Sequence, residues 1–536
     1  MLNRRQLLGG CGLGVGLGAG LGVGLGLGLG AALPAWAQRS TPPDAHERAL
    51  HALNRLAYGA RPADLAAIRN QGAAAWLDSF IAQQLDPRGI EVPAALQARL
   101  DSLDTLTLSQ GDLLLRFRQV VLAGMAAQRG AAPASEGMTQ PPGADVLANA
   151  RREFIRPVVL QAAHARLARA IDSPAQLHEV LVEFWFNHFN VFVGKGQVSV
   201  LAGAYERDAI RPHVLGRFRD MLGATAKHPA MLLYLDNALS VKPGYRAPAF
   251  AQANPNATRL SGLNENYARE LMELHTLGVD GGYTQHDVTE LARIFTGWTV
   301  NQRAVQAGVG GSLFVFDPGR HDNGSKQWLG RRVEGAGQAE GELALDVLAA
   351  HPSTARHIAY KIAQAFVADE PPPTLVQRLA DRFLQTGGDL RAVMQALVSA
   401  DEFWSAEVLG AKFKTPYQYL VSSLRALGAG TPSDVLPLTQ LLAQAGMPLY
   451  GAQTPDGYKN VASAWMNPAA IAQRVQYASA LAQRRVREGG RADLDAQRLM
   501  DTLGPMLGDT TRQTVAAEPA PTRLALLLAS PDFMKR

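Results

Sequence analysis

Glu270 and Glu273 sit one helical turn apart in the densest run of ionisable residues of this 536-residue chain. Carboxylates so spaced repel unless a cation, a shared proton or an arginine compensates. That is the setting in which a carboxyl group does acid/base work or ligates a hard metal ion. Residues 264–298 read NENYARELMELHTLG, VDGGY and TQHDVTELARIFTGW. His286, Glu290 and Arg293 follow at i, i+4 and i+7, one stripe of a second helix. Glu270, Glu273, His286, Glu290 and Arg293 are therefore the candidate catalytic set. Glu273 and His275 project to nearly opposite sides, so a rigid helix cannot offer both to one metal.

The elements that must position this set form a helical hairpin. Gly278, Gly281 and Gly282 punctuate the turn, with Gly278 suited to a left-handed helix end. Thr284 and Asp287 match a capping box that opens the second arm. Tyr267, Leu271, Leu274 and His275 share the apolar side of the first arm, and Val288, Leu291, Phe295 and Trp298 that of the second. Counted back from the turn, Glu270 and Glu273 come level with Glu290 and Arg293, so a carboxylate-rich patch is expected across the hairpin. The plainer reading of the same residues is a salt-linked helix surface.

Two other stretches carry functional groups. In EFWFNHFNVF, Glu183, Asn187 and Asn190 make one narrow polar stripe on a helix otherwise covered by Phe and Trp. Such a stripe is buried and must be satisfied, so it is expected to face the Glu270/Glu273 side as a substrate-binding wall. His188 falls among the aromatics as a core histidine. Residues 317–326 form a loop rich in Asp, Asn and Gly, where His321 and Asp322 are further candidate substrate contacts. His357 and Lys361 read as a solvated basic stripe, and residues 456–460 as a turn of lesser weight.

Asn3-Arg4-Arg5-Gln6-Leu7-Leu8 resembles a twin-arginine export motif, and the Gly/Leu run behind it ends in Ala35-Trp36-Ala37. Residues 1–38 are expected to be a signal peptide cleaved after Ala37, and the protein periplasmic or secreted. A membrane link would come only from this segment left uncleaved. Cys11, inside it, is the one cysteine, so the mature chain offers no disulfide and no thiolate-bound cofactor. Formal charge is +5, and +3 without Arg4 and Arg5; with no long basic run, nucleic acid is not an expected partner. The sequence has no phosphate loop, dinucleotide fingerprint, G-x-S-x-G or H-E-x-x-H, so no nucleotide cofactor is expected, while a divalent metal fits the carboxylates. Ala, Leu, Gln and Arg predominate in periodic segments, which predicts an all-α fold with at most a minor β hairpin near 312–330. The expected regions are 39–145, 146–340 (with the hairpin) and 341–536, joined by linkers such as 131–146.

The hairpin motif, EFWFNHFNVF, HPSTARHIAYKIAQAFV, FKTPYQYL and WMNPAA resemble the bacterial family catalogued as domain of unknown function 1800, and ALNRLAYGARPAD is similar to that family's opening. The resemblance runs from about His51 to the C-terminus. It implies a large, exported, mainly helical protein whose family has no settled activity and supplies no catalytic residues to transfer. It also implies, as a partner, a co-exported phosphatase- or sulfatase-like protein of domain-of-unknown-function family 1501. Two functional readings follow. One is a hydrolase-like enzyme of the envelope or extracellular space using a carboxylate/histidine site; the other is a non-catalytic helical binding or maturation partner. Export itself is directly testable. Changing Arg4 and Arg5 together to Lys is expected to remove the protein from the periplasmic fraction, and undiminished export would contradict the twin-arginine route.

Overall fold

The computed structural model describes residues 42–130, 148–149, 151–246, 262–308, 311–487 and 492–536. The expected signal segment, with Arg4, Arg5, Cys11 and Ala37, and the expected 131–146 linker lie outside the described residues. The described chain is mainly helical, as expected, and its strands form two small antiparallel pairs. One hydrophobic cluster runs from Ala49 to Met534 and draws on all three expected regions. The first described helix and the C-terminal residues are both tied to the region 367–413. Arg55, at the end of helix Ala45–Arg55, donates from Nη2 to the carbonyls of Val367 and Val408. Phe413 and Lys535 form an antiparallel bridge, and the Arg536 N–H donates to the Lys412 carbonyl at 2.8 Å.

The aromatic stretch is helical over Gln176–His188, and Trp185, Phe186 and Phe189 are buried. Trp185 alone packs near Phe184, Phe189 and Phe218, with ring centroids 4.9, 6.1 and 5.9 Å away. A helix covered on so many sides is a core element, and its aromatic area is the main source of its stabilisation.

The hairpin forms, with two departures from expectation. Its first arm is α-helical over Glu265–Glu270 and then widens into a π-helical turn, Leu271–His275. Gly278, at φ +85°, closes this arm by donating its N–H to the Met272 carbonyl. The Thr284/Asp287 capping box opens the second arm, Gln285–Ile294. That arm stops before Trp298. Gly297 takes φ +84° and packs against the next layer so closely that a Cβ there would lie 2.6 Å from the Asp317 carbonyl oxygen. Trp298 is consequently in strand β1 (Trp298–Val300), not on the helix. β1 pairs antiparallel with β2 (Phe314–Phe316), in register Thr299 to Val315. A separate hairpin pairs β3 (Lys326–Trp328) with β4 (Arg331–Val333).

Beneath β3 lies a buried triad of polar side chains. Glu340, near the start of helix Gln338–Ala349, accepts from Lys326 Nζ through one carboxylate oxygen and meets His321 Nε2 at 2.9 Å through the other. All three side chains are fully buried. Glu340 also accepts the N–H groups of Ala336 and Gly337 at 2.8 and 3.1 Å. Burial alone would raise its pKa, but the bonds from His321 and Lys326 hold it below the usual carboxylate range. Removing one member of such a set strands the others without water. Glu340→Ala is expected to cost about 3–5 kcal/mol in urea denaturation. A loss below about 1 kcal/mol would show that Lys326 finds water or another partner.

Candidate functional site

The polar stripe of the aromatic helix is satisfied by a partner far away in sequence. Asn187 Nδ2 donates to the Tyr458 carbonyl at 2.8 Å, and the Tyr458 N–H donates back to Asn187 Oδ1 at 2.7 Å. Asn190 Nδ2 donates to the carbonyls of Ala452 and Thr454, both at 2.9 Å. These bonds lay residues 452–460 along the stripe. Gly457 permits the contact: it takes φ +65°, and a Cβ there would come within 2.4 Å of the Asn187 carbonyl oxygen. The stripe is buried as expected at Glu183 and Asn190 and half-buried at Asn187. Where the stripe is expected to face Glu270 and Glu273, the 452–460 segment takes the hydrogen bonds of Asn187 and Asn190, and Asn190 and Glu270 share Tyr234 as a neighbour.

Glu183 sits where this arrangement is least complete. Its Oε2 accepts from the Tyr58 hydroxyl at 2.9 Å. On either side lie cavities of about 40 and 30 Å³, each with room for about one water molecule. The first is lined also by Gln418, Lys459, Asn460 and Arg536; the second by Arg166, Tyr417 and Tyr450. Burial pushes the Glu183 carboxyl upward, and Arg166, Arg536 and the bonds from Tyr58 and Gln418 only partly offset it. Arg166 is itself committed to Glu206, with Nη1 to Oε2 at 3.3 Å. Glu183 is thus a buried carboxyl group held short of a direct ion pair.

Outward from the 452–460 segment lies a second group of titratable residues. His357 and Lys361 project from helix Pro352–Phe366, and both are half-buried, not solvated as their spacing suggests. His357 Nε2 donates to the Leu274 carbonyl at 3.2 Å, and His188 Nε2 to the His275 carbonyl at 3.1 Å, so two imidazoles cap the π-helical turn. The His188 ring centroid lies 6.2 Å from that of His275 and 6.1 Å from that of His357. Burial, with the neighbouring imidazole or lysine, lowers His275 to about 3 and His357 to about 4. Lys361 has no ion-pair partner among the described residues; burial and then Lys459 lower its pKa, and Asp456 opposes them. Asp456 is bonded to Lys459 at 2.7 Å and to Thr454 at 2.5 Å.

Asp456 and Glu270 both act on Tyr234, whose hydroxyl donates to the Gln453 carbonyl and whose pKa is raised first by burial and then by Glu270. Glu273 bonds to Tyr283, which is pushed up to about 12 by burial and then by that carboxylate. Glu270 and Glu273 are half-buried at this edge of the group. Glu270 and Asn190 both act on Tyr234, to which Asn190 hydrogen-bonds.

The rest of the expected set goes elsewhere. Arg293 binds Glu290 at 2.7 Å and Asp322 at 2.8 Å, and Glu290 also accepts the Gln327 N–H at 2.7 Å. Those bonds pin the 317–329 loop to the second arm, so Glu290 and Arg293 do not pair across the hairpin with Glu270 and Glu273. The arms are instead linked through Glu265, which accepts from Gln285 and from Thr289, both at 2.8 Å. His321 belongs to the buried triad, and His286 is exposed. Residues the sequence reading passed over include Tyr58, Arg166, Tyr234, Tyr283, Gln418 and Arg536. Tyr58, Tyr283 and Gln418 stand in quoted motifs, whereas Arg166, Tyr234 and Arg536 do not. Among the described residues, no group of three or more His, Cys, Asp or Glu is arranged to hold a metal ion. None of their helices is long and apolar enough to cross a membrane.

The chain belongs to the family described as "Protein of unknown function (DUF1800)", whose model matches residues 51–535. No curated protein and no solved structure matches it.

The Glu183 environment makes a prediction with a definite sign. A carboxyl whose folded pKa is raised binds its proton more tightly in the native state, so its ionisation subtracts stability above the unfolded value of about 4.3. Gln cannot ionise and still accepts the Tyr58 hydroxyl. Glu183→Gln should therefore match or exceed the wild-type melting temperature at pH 8, with the difference vanishing toward pH 4. Glu183→Ala, which leaves Tyr58 without its acceptor, should lose about 1–3 kcal/mol. A clear loss of stability in the Gln variant at pH 8 would mean that Glu183 is a structural anion.

Proposed function

We propose that this chain is an exported, hydrolase-like enzyme that acts by acid/base chemistry where the aromatic helix, the 452–460 segment and helix Pro352–Phe366 meet. The observation that supports this reading is Glu183: a buried carboxyl of raised pKa beside two water-sized cavities. A general acid or base needs a pKa moved toward the working pH and room for the proton's partner, and titratable groups perturbed by burial concentrate at such sites. In this reading Glu183 transfers the proton and Tyr58 orients it. Lys459 and Lys361 bring positive charge to the outer side, where Lys459 is exposed. Glu270 and Glu273, with Tyr234 and Tyr283, extend the polar surface along which a larger substrate would lie. The proposed substrate is an envelope or extracellular polymer, reached after twin-arginine export.

A specific observation favours the second reading, a non-catalytic binding or maturation partner of a co-exported phosphatase- or sulfatase-like protein. Glu290, Arg293, His321 and Asp322 are all bonded within the fold. The two readings separate in one experiment. Periplasmic protein and its Glu183→Gln variant are assayed against chromogenic esters, phosphate and sulfate esters, and glycosides, across pH. The enzyme reading expects turnover in the wild type and a fall of about 10²–10⁴-fold in kcat/KM in the variant at unchanged melting temperature. Equal turnover in both removes Glu183 from the chemistry. No turnover, together with co-purification of a phosphatase-like protein, supports the partner reading.

A further inference from the structure

A large cavity among the described residues has neither Glu270 nor Glu273 in its lining. It is a cleft of about 860 Å³ between the first helix, Ala45–Arg55, and the C-terminal helices Asp509–Ala516 and Ala520–Ala529. That volume falls within the range of small-molecule sites, which are mainly apolar with a few placed polar groups. Val475, Met506, Leu507, Val515, Leu526 and Ala529 supply apolar walls.

Two residues that line this cleft carry a buried polar atom with no hydrogen-bond partner among the described residues: Arg536, at Nε, and His51. His51 is 2 % exposed, and its unpartnered atom is Nε2. The ring is held on its other side, with centroids 4.9 Å from Phe403 and 5.8 Å from Trp404 and a hydrogen bond to the Phe403 backbone. Burial first, and then the Arg55 charge, push its pKa well down, so the imidazole is neutral. A neutral imidazole that gives one N–H to a backbone carbonyl presents its other nitrogen as an acceptor. A buried acceptor without a donor is costly, so the complementary ligand brings an O–H or N–H.

Charge at the cleft narrows the class further. Glu47, Asp509 and Asp532 line it along with Lys535 and Arg536. Asp532 is already occupied by the Gly508 N–H at 2.9 Å and the Thr511 hydroxyl at 2.7 Å. The mixed signs give an organic anion no clear advantage, and a neutral imidazole gives it no proton. We propose that this cleft binds a neutral hydroxyl-bearing hydrocarbon, with its body against Met506, Val515 and Leu526 and its hydroxyl donating to Nε2 of His51.

The test uses three probes of one shape: naphthol, naphthalene and naphthoate, titrated calorimetrically into the full chain. Naphthol is expected to bind about five- to tenfold more tightly than naphthalene, the worth of one net hydrogen bond, and naphthoate more weakly than naphthol. His51→Phe should keep naphthalene binding and abolish the preference for naphthol. Ala529→Trp, which fills the cleft from its wall, should remove binding of all three; it serves also if the His51 variant fails to fold. Equal affinity for naphthol and naphthalene, a preference for naphthoate, or binding untouched by Ala529→Trp would each overturn the proposal. The outcome is separable from the Glu183 reading, because none of these variants alters that carboxyl group or reads turnover.

Discussion

The satisfaction of one polar stripe, running off the end of a buried helix at His188 to Asn190, shapes much of this structure. Phe184, Trp185, Phe186 and Phe189 leave the Gln176–His188 helix almost no wet surface. Glu183, Asn187 and Asn190 must then be answered from within the protein, since each unpaired group would cost about 1–3 kcal/mol. The 452–460 segment answers Asn187 and Asn190 through main-chain atoms, which is why it follows the stripe so closely and why Gly457 is needed under it. Tyr58 answers Glu183 from the other end of the sequence. One helix thereby fixes the relative placement of the N-terminal, central and C-terminal regions.

A second network does comparable work on the other arm of the hairpin. Glu290, Arg293 and Asp322 form a continuous pair of salt bridges, and Asp287 accepts the Leu329 N–H, so the small β hairpin is hung from one helix face. Behind it, Glu340 gathers His321 and Lys326 without exposing any of them. Buried charges of this kind add little net stability compared with apolar packing, and their best-attested use is to fix a unique arrangement. Asp287, Glu290, Arg293, His321, Asp322 and Lys326 are bonded in these networks. They specify where a loop and a hairpin sit.

What could be read in advance follows from how local the cause was. The mainly helical class, the capping box at Thr284 and the left-handed Gly278 depend on neighbours within a turn or two, and they stand in the structure as read. Trp298 was misplaced because helical spacing continues through it, while the strand that captures it, Phe314–Phe316, is a partner of distant sequence. The polar stripe was recognised and its burial followed from the aromatics around it. Its direction was not legible, because the groups that meet it are main-chain carbonyls and an N–H of the 452–460 segment, which carry no sequence signature. His357 and Lys361 looked solvated for the same reason: the Leu274 carbonyl that holds His357 belongs to a π-helical turn that residue spacing does not announce.

The two cavities of interest are joined by a single residue. Arg536 borders both the large cleft and the small space beside Glu183, and its guanidinium also donates to the Ala365 carbonyl at 2.9 Å. An arginine stays charged at any pH a folded protein tolerates, so burying it requires nearby negative charge, hydrogen-bond acceptors or water. Glu183 and Asp369 are the side-chain carboxylates whose charge acts on it. The charge on Glu183 is therefore worth more to the fold when Arg536 lies close, and its proton is held more firmly when Arg536 turns away. Arg536 acts on the Glu183 carboxyl group after burial and Arg166. The cleft and the space beside the Glu183 carboxyl group thus share one lining residue, Arg536.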